Sequence, residues 1–377
     1  MLPLSDRPMI EPLLSLNALP KIGPVRIRRL LDHFGSAEKT LAASKDSLLR
    51  VDGIGPELAE IIRQHASLTD PAAELRELAD RGLSVLTPVD SVFPAALRDS
   101  YDCPILLYVW GEIRESDRHA IGIVGTRRAS MYGKNSTKKI AFQLARSGFT
   151  ILSGLARGID TVAHEAAIAA GGRTVAVIGS GLARVYPAEN LGLAEKIADG
   201  NGAVVSEFPL HTKPDKQTFP QRNRIVAAWS RALVVTESPA WSGSLITANL
   251  AAEYGRPVYA VPGPIDKPTS GGCNKLIREG ATLLTEAGEL LDDLGGLGLP
   301  KSERRPQPAC ATEKPDLPDL PPDEQQIFDA LGDGESGIDR LVDLTGLSAP
   351  VVSTTLLKLE MKRLVQALPG FRYIRRS

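Results

Sequence analysis

Between about residues 72 and 294 the chain alternates two patterns. Short apolar runs at 105–110, 120–125, 149–153, 174–179, 203–206, 232–237 and 257–262 are separated by amphipathic stretches at 134–146, 158–170, 191–199, 224–230 and 244–254. Runs without polar interruption predict strands covered on both faces, whereas a half-wet sheet alternates. Strand and helix in repetition predict right-handed crossovers and an α/β fold, a doubly wound, mostly parallel sheet. Ligands of such sheets sit beyond the carboxyl ends of the strands. Candidate chemistry is therefore sought in the residues that follow each run.

The flanks differ in pattern. Up to about residue 67 the chain is helical in period and carries two similar turns, Leu19-Pro-Lys-Ile-Gly23-Pro24 and Val51-Asp-Gly-Ile-Gly55-Pro56. Each sets glycine before a helix start with proline in its first turn. The pair resembles a helix-hairpin-helix module, whose amides can face a DNA phosphate, and Lys21, Arg26, Arg28 and Arg29 add charge without an acid until Asp32. A small helical bundle that uses the turns only for packing fits the same residues. Residues 301–322 hold six prolines and no apolar period, which predicts a semi-rigid linker. After it, three helices at 324–331, 338–345 and 349–362 and two short strands near 364–367 and 371–374 predict a winged-helix-like unit. The expected division is a helical domain over 1–70, a sheet domain over 71–295, a linker over 296–322 and a terminal domain over 323–377.

Composition bounds the rest. The 377 residues suit two or three domains, and 43% hydrophobic with 24% charged residues is ordinary for globular chains. No apolar run approaches the ~18 residues of a membrane span. The first residues carry Asp6 and Glu11 without a basic stretch before an apolar one, which argues against a signal peptide. Cys103, Cys273 and Cys310 are too scattered for a disulfide framework or a metal pair, so a cytoplasmic chain with reduced thiols is expected. The net charge of −1 excludes a chain that is basic throughout but hides its placement. Residues 211–231 carry a net +4 with His neutral, and the last stretch from Lys362 carries +5, while acids gather at 286–293 and 316–324.

The residues after the strands follow a theme. Gly125-Thr-Arg127 delivers an arginine to the rim, and Ser153-Gly154 offers a hydroxyl and open amides at a helix start, an anion site by geometry. Asp160 and His164, four apart, share a helix face and are read as a hydrogen-bonded pair fixing that helix to the sheet. No nucleophile stands in the motif to complete a triad. In Lys216-Gln-Thr-Phe219-Pro-Gln-Arg222-Asn223-Arg224 a ring is interleaved with bases, which suits phosphates and an unpaired nucleobase. Ser242-Gly243-Ser244 forms a further cradle but lacks the Gly-Lys-Ser/Thr of a Walker loop, and no GxGxxG fingerprint follows a strand. Several cradles in a row fit an extended polyanion better than a mononucleotide, and no catalytic residue, metal site or cofactor is expected.

In order, Phe93-Pro94, Gly125-Thr-Arg, Ser153-Gly-Leu-Ala-Arg-Gly-Ile-Asp, Gly179-Ser-Gly-Leu, Tyr186-Pro, Ser206-Glu-Phe-Pro, Phe219-Pro-Gln-Arg-Asn-Arg, Ser242-Gly-Ser-Leu-Ile-Thr and Val261-Pro-Gly resemble the bacterial DNA-processing DprA (Smf) family. The resemblance covers residues 91 to about 294. It implies a Rossmann-like domain, often with helix-hairpin-helix or sterile-alpha-motif-like and winged-helix flanks. It further implies a non-enzymatic, homodimeric mediator of natural transformation that binds and protects single-stranded DNA and loads RecA recombinase, with single-strand-binding protein as a further partner. Carried over residue by residue, the binding set is Arg127, Ser153, Gly154, Lys216, Phe219, Arg222, Asn223, Arg224, Ser242, Gly243 and Ser244, with Arg224 alternatively bracing its loop. For the terminal domain a protein-interaction or dimerisation role is favoured over duplex binding. The second class considered is a nucleotide-processing enzyme of the lysine-decarboxylase-like phosphoribohydrolase type, whose Pro-Gly-Gly-x-Gly-Thr motif this sequence lacks.

Overall fold

Neighbouring residues of the central strands are buried together but in different cores. Ile151 packs on one face of the sheet and Leu152 on the other, and Ala232 and Val234 part in the same way from Leu233 and Val235. A sheet with both faces covered has no solvent side to record in its sequence. The computed structural model describes residues 10–294, 321–331, 336–362, 364–368 and 372–375. Cys310, Arg363, Phe371, Arg376 and residues 296–320 of the expected linker lie outside them. The chain divides into two compact units, Met1–Glu303 and Arg304–Ser377.

In the first unit nine strands form one sheet: β1 (Ser84–Leu86), β2 (Leu107–Gly111), β3 (Ala120–Val124), β4 (Thr150–Ser153), β5 (Thr174–Val177), β6 (Gly202–Ser206), β7 (Ala232–Val235), β8 (Val258–Ala260) and β9 (Thr282–Leu283). Their order is β1-β2-β6-β5-β4-β3-β7-β8-β9. Strands from β6 to β9 run parallel, and β2 is antiparallel to both β1 and β6. The chain winds outward from β3 to β6, then returns to β7 on the other side of β3. That reversal is the switch point of a doubly wound sheet. The apolar runs overshoot several strands because the residues leaving the sheet stay buried; Ile178, just after β5, is 1% exposed. Strands β1 and β9 are too short to register as runs.

Helices α1 (Ile10–Ala18), α2 (Pro24–Phe34), α3 (Ala37–Leu41), α4 (Lys45–Leu48), α5 (Pro56–Arg63), α6 (His65–Leu68) and α7 (Pro71–Asp80) precede the sheet. Gly23 and Gly55 are the N-caps of α2 and α5, each followed by proline, as the two turns predict. These helices share a core with the sheet, where Leu14, Leu30 and Ile62 join Tyr108, Ala176 and Val204. Polar ties reinforce the join, including Asn17 Nδ2 donating to the Glu207 carbonyl at 2.9 Å and Arg28 to the Ser100 carbonyl at 3.2 Å.

The remaining helices are α8 (Ala95–Arg98), α9 (Met131–Arg146), α10 (Ile159–Ala169), α11 (Leu191–Lys196), α12 (Thr218–Trp229), α13 (Gly243–Glu253), α14 (Gly271–Arg278) and α15 (Ala287–Asp293). Helices α12, α13 and α14 cover one face of the sheet and α9, α10 and α15 the other. Helix α12 begins six residues before the expected 224–230 stretch. Pro220 is tolerated in its first turn, and its arginines break the apolar pattern although they are buried. No helix of the described residues is long and apolar enough to cross a membrane.

The second unit comprises α16 (Pro322–Leu331), β10 (Ser336–Gly337), α17 (Ile338–Thr345), α18 (Ala349–Met361), β11 (Val365–Leu368) and β12 (Arg372–Arg375). Its three strands pair antiparallel in the order β10-β12-β11 beside a core of Ile327, Leu341, Val352, Leu356 and Val365. Three helices with a terminal hairpin make a winged helix. Lys362, counted in the basic tail, is tied by its Nζ to Glu324 at 2.6 Å.

Candidate nucleic-acid interface

A cleft opens where β3, β4 and β5 end and α12 begins, lined by residues that include Arg127, Gly154, Gly179, Tyr186, Phe219 and Arg222. The Phe219 ring lies against Gly179, where an added Cβ would stand 2.9 Å from ring atom Cδ1. Only glycine leaves the ring that seat. Tyr186 meets the same ring with centroids 5.8 Å apart and planes tilted by 48°. The guanidinium of Arg127 stands 5.1 Å from the Phe219 centroid, in cation–π range. Its flank is exposed, as are Lys213 and Lys216 on the approach to α12, which have no ion-pair partner among the described residues. An aromatic platform under a cation, reached by free ammonium groups, can stack a base and hold its phosphates.

The expected anion cradle at Ser153-Gly154 is present and already filled. Leu155 takes φ 57°, a left-handed turn, and the amides of Gly154 and Ala156 converge on Asp160 Oδ2 at 3.1 and 3.3 Å. The anion in this nest is the protein's own carboxylate. Burial pushes the Asp160 carboxyl upward, against the pull of Arg222 and the two amides. The Ser153 hydroxyl donates to the Ile123 carbonyl at 2.6 Å and is fully buried. As phosphate contacts Ser153 and Gly154 are corrected: they build the floor. Gly154 is required there because a Cβ would fall 2.4 Å from Arg222 Nη1.

Arg222 and Arg224 are two apart on α12, about 200° around the helix, and point to different places. Arg222 is 6% exposed and donates from Nη1 to the carbonyls of Gly154 and Val177, with its Nε toward Asn223 Oδ1 at 3.1 Å. Burial lowers it to about 10, so it stays charged near neutrality. It forms the cleft's positive back wall rather than a mobile contact. Arg224 is the brace: it donates to Glu207 and to the Asp102 carbonyl, the latter at 2.6 Å, and its Nε stands 3.8 Å from the Asp102 carboxylate. All three residues are buried, so the expected DNA contact at Arg224 is corrected as well.

The third cradle stands at the start of α13. Ser242 caps the helix by accepting from the Ser244 amide at 3.4 Å, and the Ser242, Ser244 and Ser238 hydroxyls are linked by contacts of 2.9 Å. Gly243 is exposed, and its carbonyl is 3.5 Å from Asn223 Nδ2. The chain of Phe219, Asn223 and Gly243 thus joins this loop to the cleft. Asp160 and His164, expected to bond each other, do not: His164 Nδ1 bonds Thr174 Oγ1 at 2.6 Å, and its Nε2 is buried without a partner. Each residue secures a different strand end.

Three features lie outside the expected binding set, although Tyr186 and Arg157 stand within the quoted motifs. Tyr186 follows no strand directly and reaches the cleft through its own loop. Arg157 lines the cleft in an ion pair with Glu189. Helix α9 carries Lys134, Lys138, Lys139 and Arg146 without one acid, a signal present in the sequence but diluted by apolar positions between the charges.

A family model described as DNA recombination-mediator protein A matches residues 84–295, one for the DprA winged helix domain matches 311–370, and a SAM-like helix-hairpin-helix tandem matches 11–67. Protein Smf of Synechocystis is 37% identical over 386 aligned positions, spanning 94% of this chain and 96% of that protein. The X-ray structure of DNA processing protein A from Streptococcus pneumoniae is similar with a TM-score of 0.65 and 33% identity, over 74% of this chain and 95% of that one. A structure of the Helicobacter pylori protein, described for its single-stranded DNA binding mode, has a TM-score of 0.51 and 31% identity, over 56% of this chain and 95% of that one.

Proposed function

The chain belongs to the DNA recombination-mediator protein A family, and from that premise we propose that its sheet-end cleft binds single-stranded DNA without sequence preference. The observation that carries this reading is the Phe219 ring, seated on Gly179 and crossed by Arg127. A stacking face accepts any base, and exposed Lys213, Lys216 and Arg127 follow a backbone rather than one phosphate. Duplex DNA offers no free base to the ring. Ser153, Gly154 and Arg222 support the site from beneath, and Asn223, Ser242, Gly243 and Ser244 extend its rim.

A binding role is favoured over a catalytic one by where the buried titratable groups go. Asp160 is held by two amides, His164 by Thr174 and Glu237 by the Ser130 amide at 2.8 Å. None of the three lines the cleft. In the wider role the bound strand is passed to a RecA-type recombinase during DNA uptake, by a dimer of this chain.

The test is anisotropy of labelled oligothymidylate against duplex over a salt series. Single strands should bind tighter, and Lys216→Ala or Arg127→Ala should each reduce the slope of log K against log salt by about 0.7, one phosphate contact. Equal affinity for duplex, or slopes unchanged in both variants, overturns the reading. Recombinase transfer is checked separately by filament growth on strands coated with single-strand-binding protein.

A further inference from the structure

The chain has three tryptophans. Trp229 is fully buried and Trp110 partly so, but Trp241 is 93% exposed. An indole set in water forgoes the burial that normally repays so large a side chain. It is not on a loose tail. Three residues before it, the Ser238 carbonyl accepts from the Gly272 amide at 2.7 Å, and one residue after it Ser242 caps α13. With the chain held at Ser238 and Ser242, the segment between them carries Trp241 into solvent beyond the end of β7.

Its position continues the cleft. Phe219 and Asn223 lie one turn apart on α12, about 6 Å. Asn223 Nδ2 reaches the Gly243 carbonyl at 3.5 Å, and Trp241 is two residues back along the chain. The path spans roughly 20 Å at most and crosses the switch point from the β3 side to the β7 side. Arg127, with Arg128 also exposed beside it, follows β3, the strand that lies between β4 and β7 in the sheet.

We propose that Trp241 is a second stacking platform, taking a base of the same strand some nucleotides beyond the one on Phe219. This rests on the single-strand reading above and adds a direction: the strand leaves the cleft toward β7 and β8, and the site is longer than the cleft alone. An exposed indole on an anchored backbone suits this because tryptophan has only two side-chain torsions to lose on stacking.

The experiment titrates the full chain, its W241A and W241F variants and F219A with oligothymidylates of increasing length. Tryptophan emission and anisotropy of a labelled strand are followed together. Long strands should quench wild-type emission, bind W241A roughly five- to a hundredfold more weakly, and bind W241F nearly as wild type. Short strands that fill only the cleft should not distinguish W241A from wild type but should lose affinity to F219A. If long strands bind W241A as tightly as wild type, the platform is refuted while the single-strand reading stands. If no strand binds wild type, both fall. If emission changes with protein concentration alone and not with DNA, the indole meets a second copy of the chain and the proposal is overturned.

Discussion

Arg224→Ala separates a residue that holds the fold from those proposed to hold DNA. The side chain bridges three elements: the middle of α12, the turn after β6 through Glu207, and the loop before β2 through Asp102. Tyr254 donates to the same Asp102 carboxylate at 2.8 Å, and the Glu207 carbonyl receives Asn17 from α1. Removing the guanidinium leaves two buried carboxylates without their counter-charge, a loss of about 3–5 kcal/mol. With an m-value near 3 kcal/mol/M, the urea midpoint of the first unit should fall by roughly 1–1.7 M. The pH dependence has a definite sign. Burial already raises Glu207 above its ordinary value of 4.5, and losing Arg224 raises it further. A carboxylate with a raised folded value is penalised once it must ionise, so the deficit narrows toward pH 4.5 and widens as pH rises through the folded value. Replacing Arg224 and Glu207 together by Met and Leu should restore much of the loss, because paired charges are costly to bury and apolar groups are not. An unchanged midpoint in Arg224→Ala, or a deficit that is flat from pH 4.5 to 8, refutes the account.

Gly179→Val should displace the Phe219 ring from its seat, 2.9 Å from the added Cβ, and weaken single-strand binding about tenfold or more in a filter-binding titration. Burial lowers His164 to about 3 from 6.5. The unfolded chain therefore takes up the proton first, and stability should be full above pH 6.5 and fall by a few kcal/mol toward pH 3. His164→Gln should flatten that acid limb in thermal scans, and an unaltered limb counts against the assignment. Neutralising Lys134 and Lys138 to Gln on α9 should reduce the salt slope for long strands by up to about 1.4 if both touch phosphate; no change confines the track to the rim.

The fold was legible where the sequence had a physical reason to record it. Strands β3 to β8 read as unbroken apolar runs because helices cover both of their faces, and Gly23-Pro24 and Gly55-Pro56 marked helix starts because those positions need no amide partner. Helix α12 was mistimed for the opposite reason. Its first two turns carry arginines that satisfy themselves on carbonyls and carboxylates in the interior, so polarity there did not mean exposure.

The candidate site was legible in where its residues gather and less so in their division of labour. Arg127, Lys216 and Phe219 fall on the cleft or its approach because the carboxyl ends of parallel strands meet there. What one-dimensional spacing cannot show is whether a donor is already spoken for. Ser153-Gly154 has the geometry of a phosphate cradle, yet Asp160, six residues beyond Gly154, returns to fill it. That internal anion does for the turn what a bound phosphate would do: it pairs the converging amides and sets the N-terminus of α10. It also stands beside Arg222 and offsets its charge, which keeps a buried guanidinium tolerable behind an aromatic cleft. The self-filled cradle and the buried arginine are thus one device. Together they hold the end of β4 and the start of α12 in register, so that Gly179 and Phe219 meet and the ring keeps the seat at which base stacking is proposed.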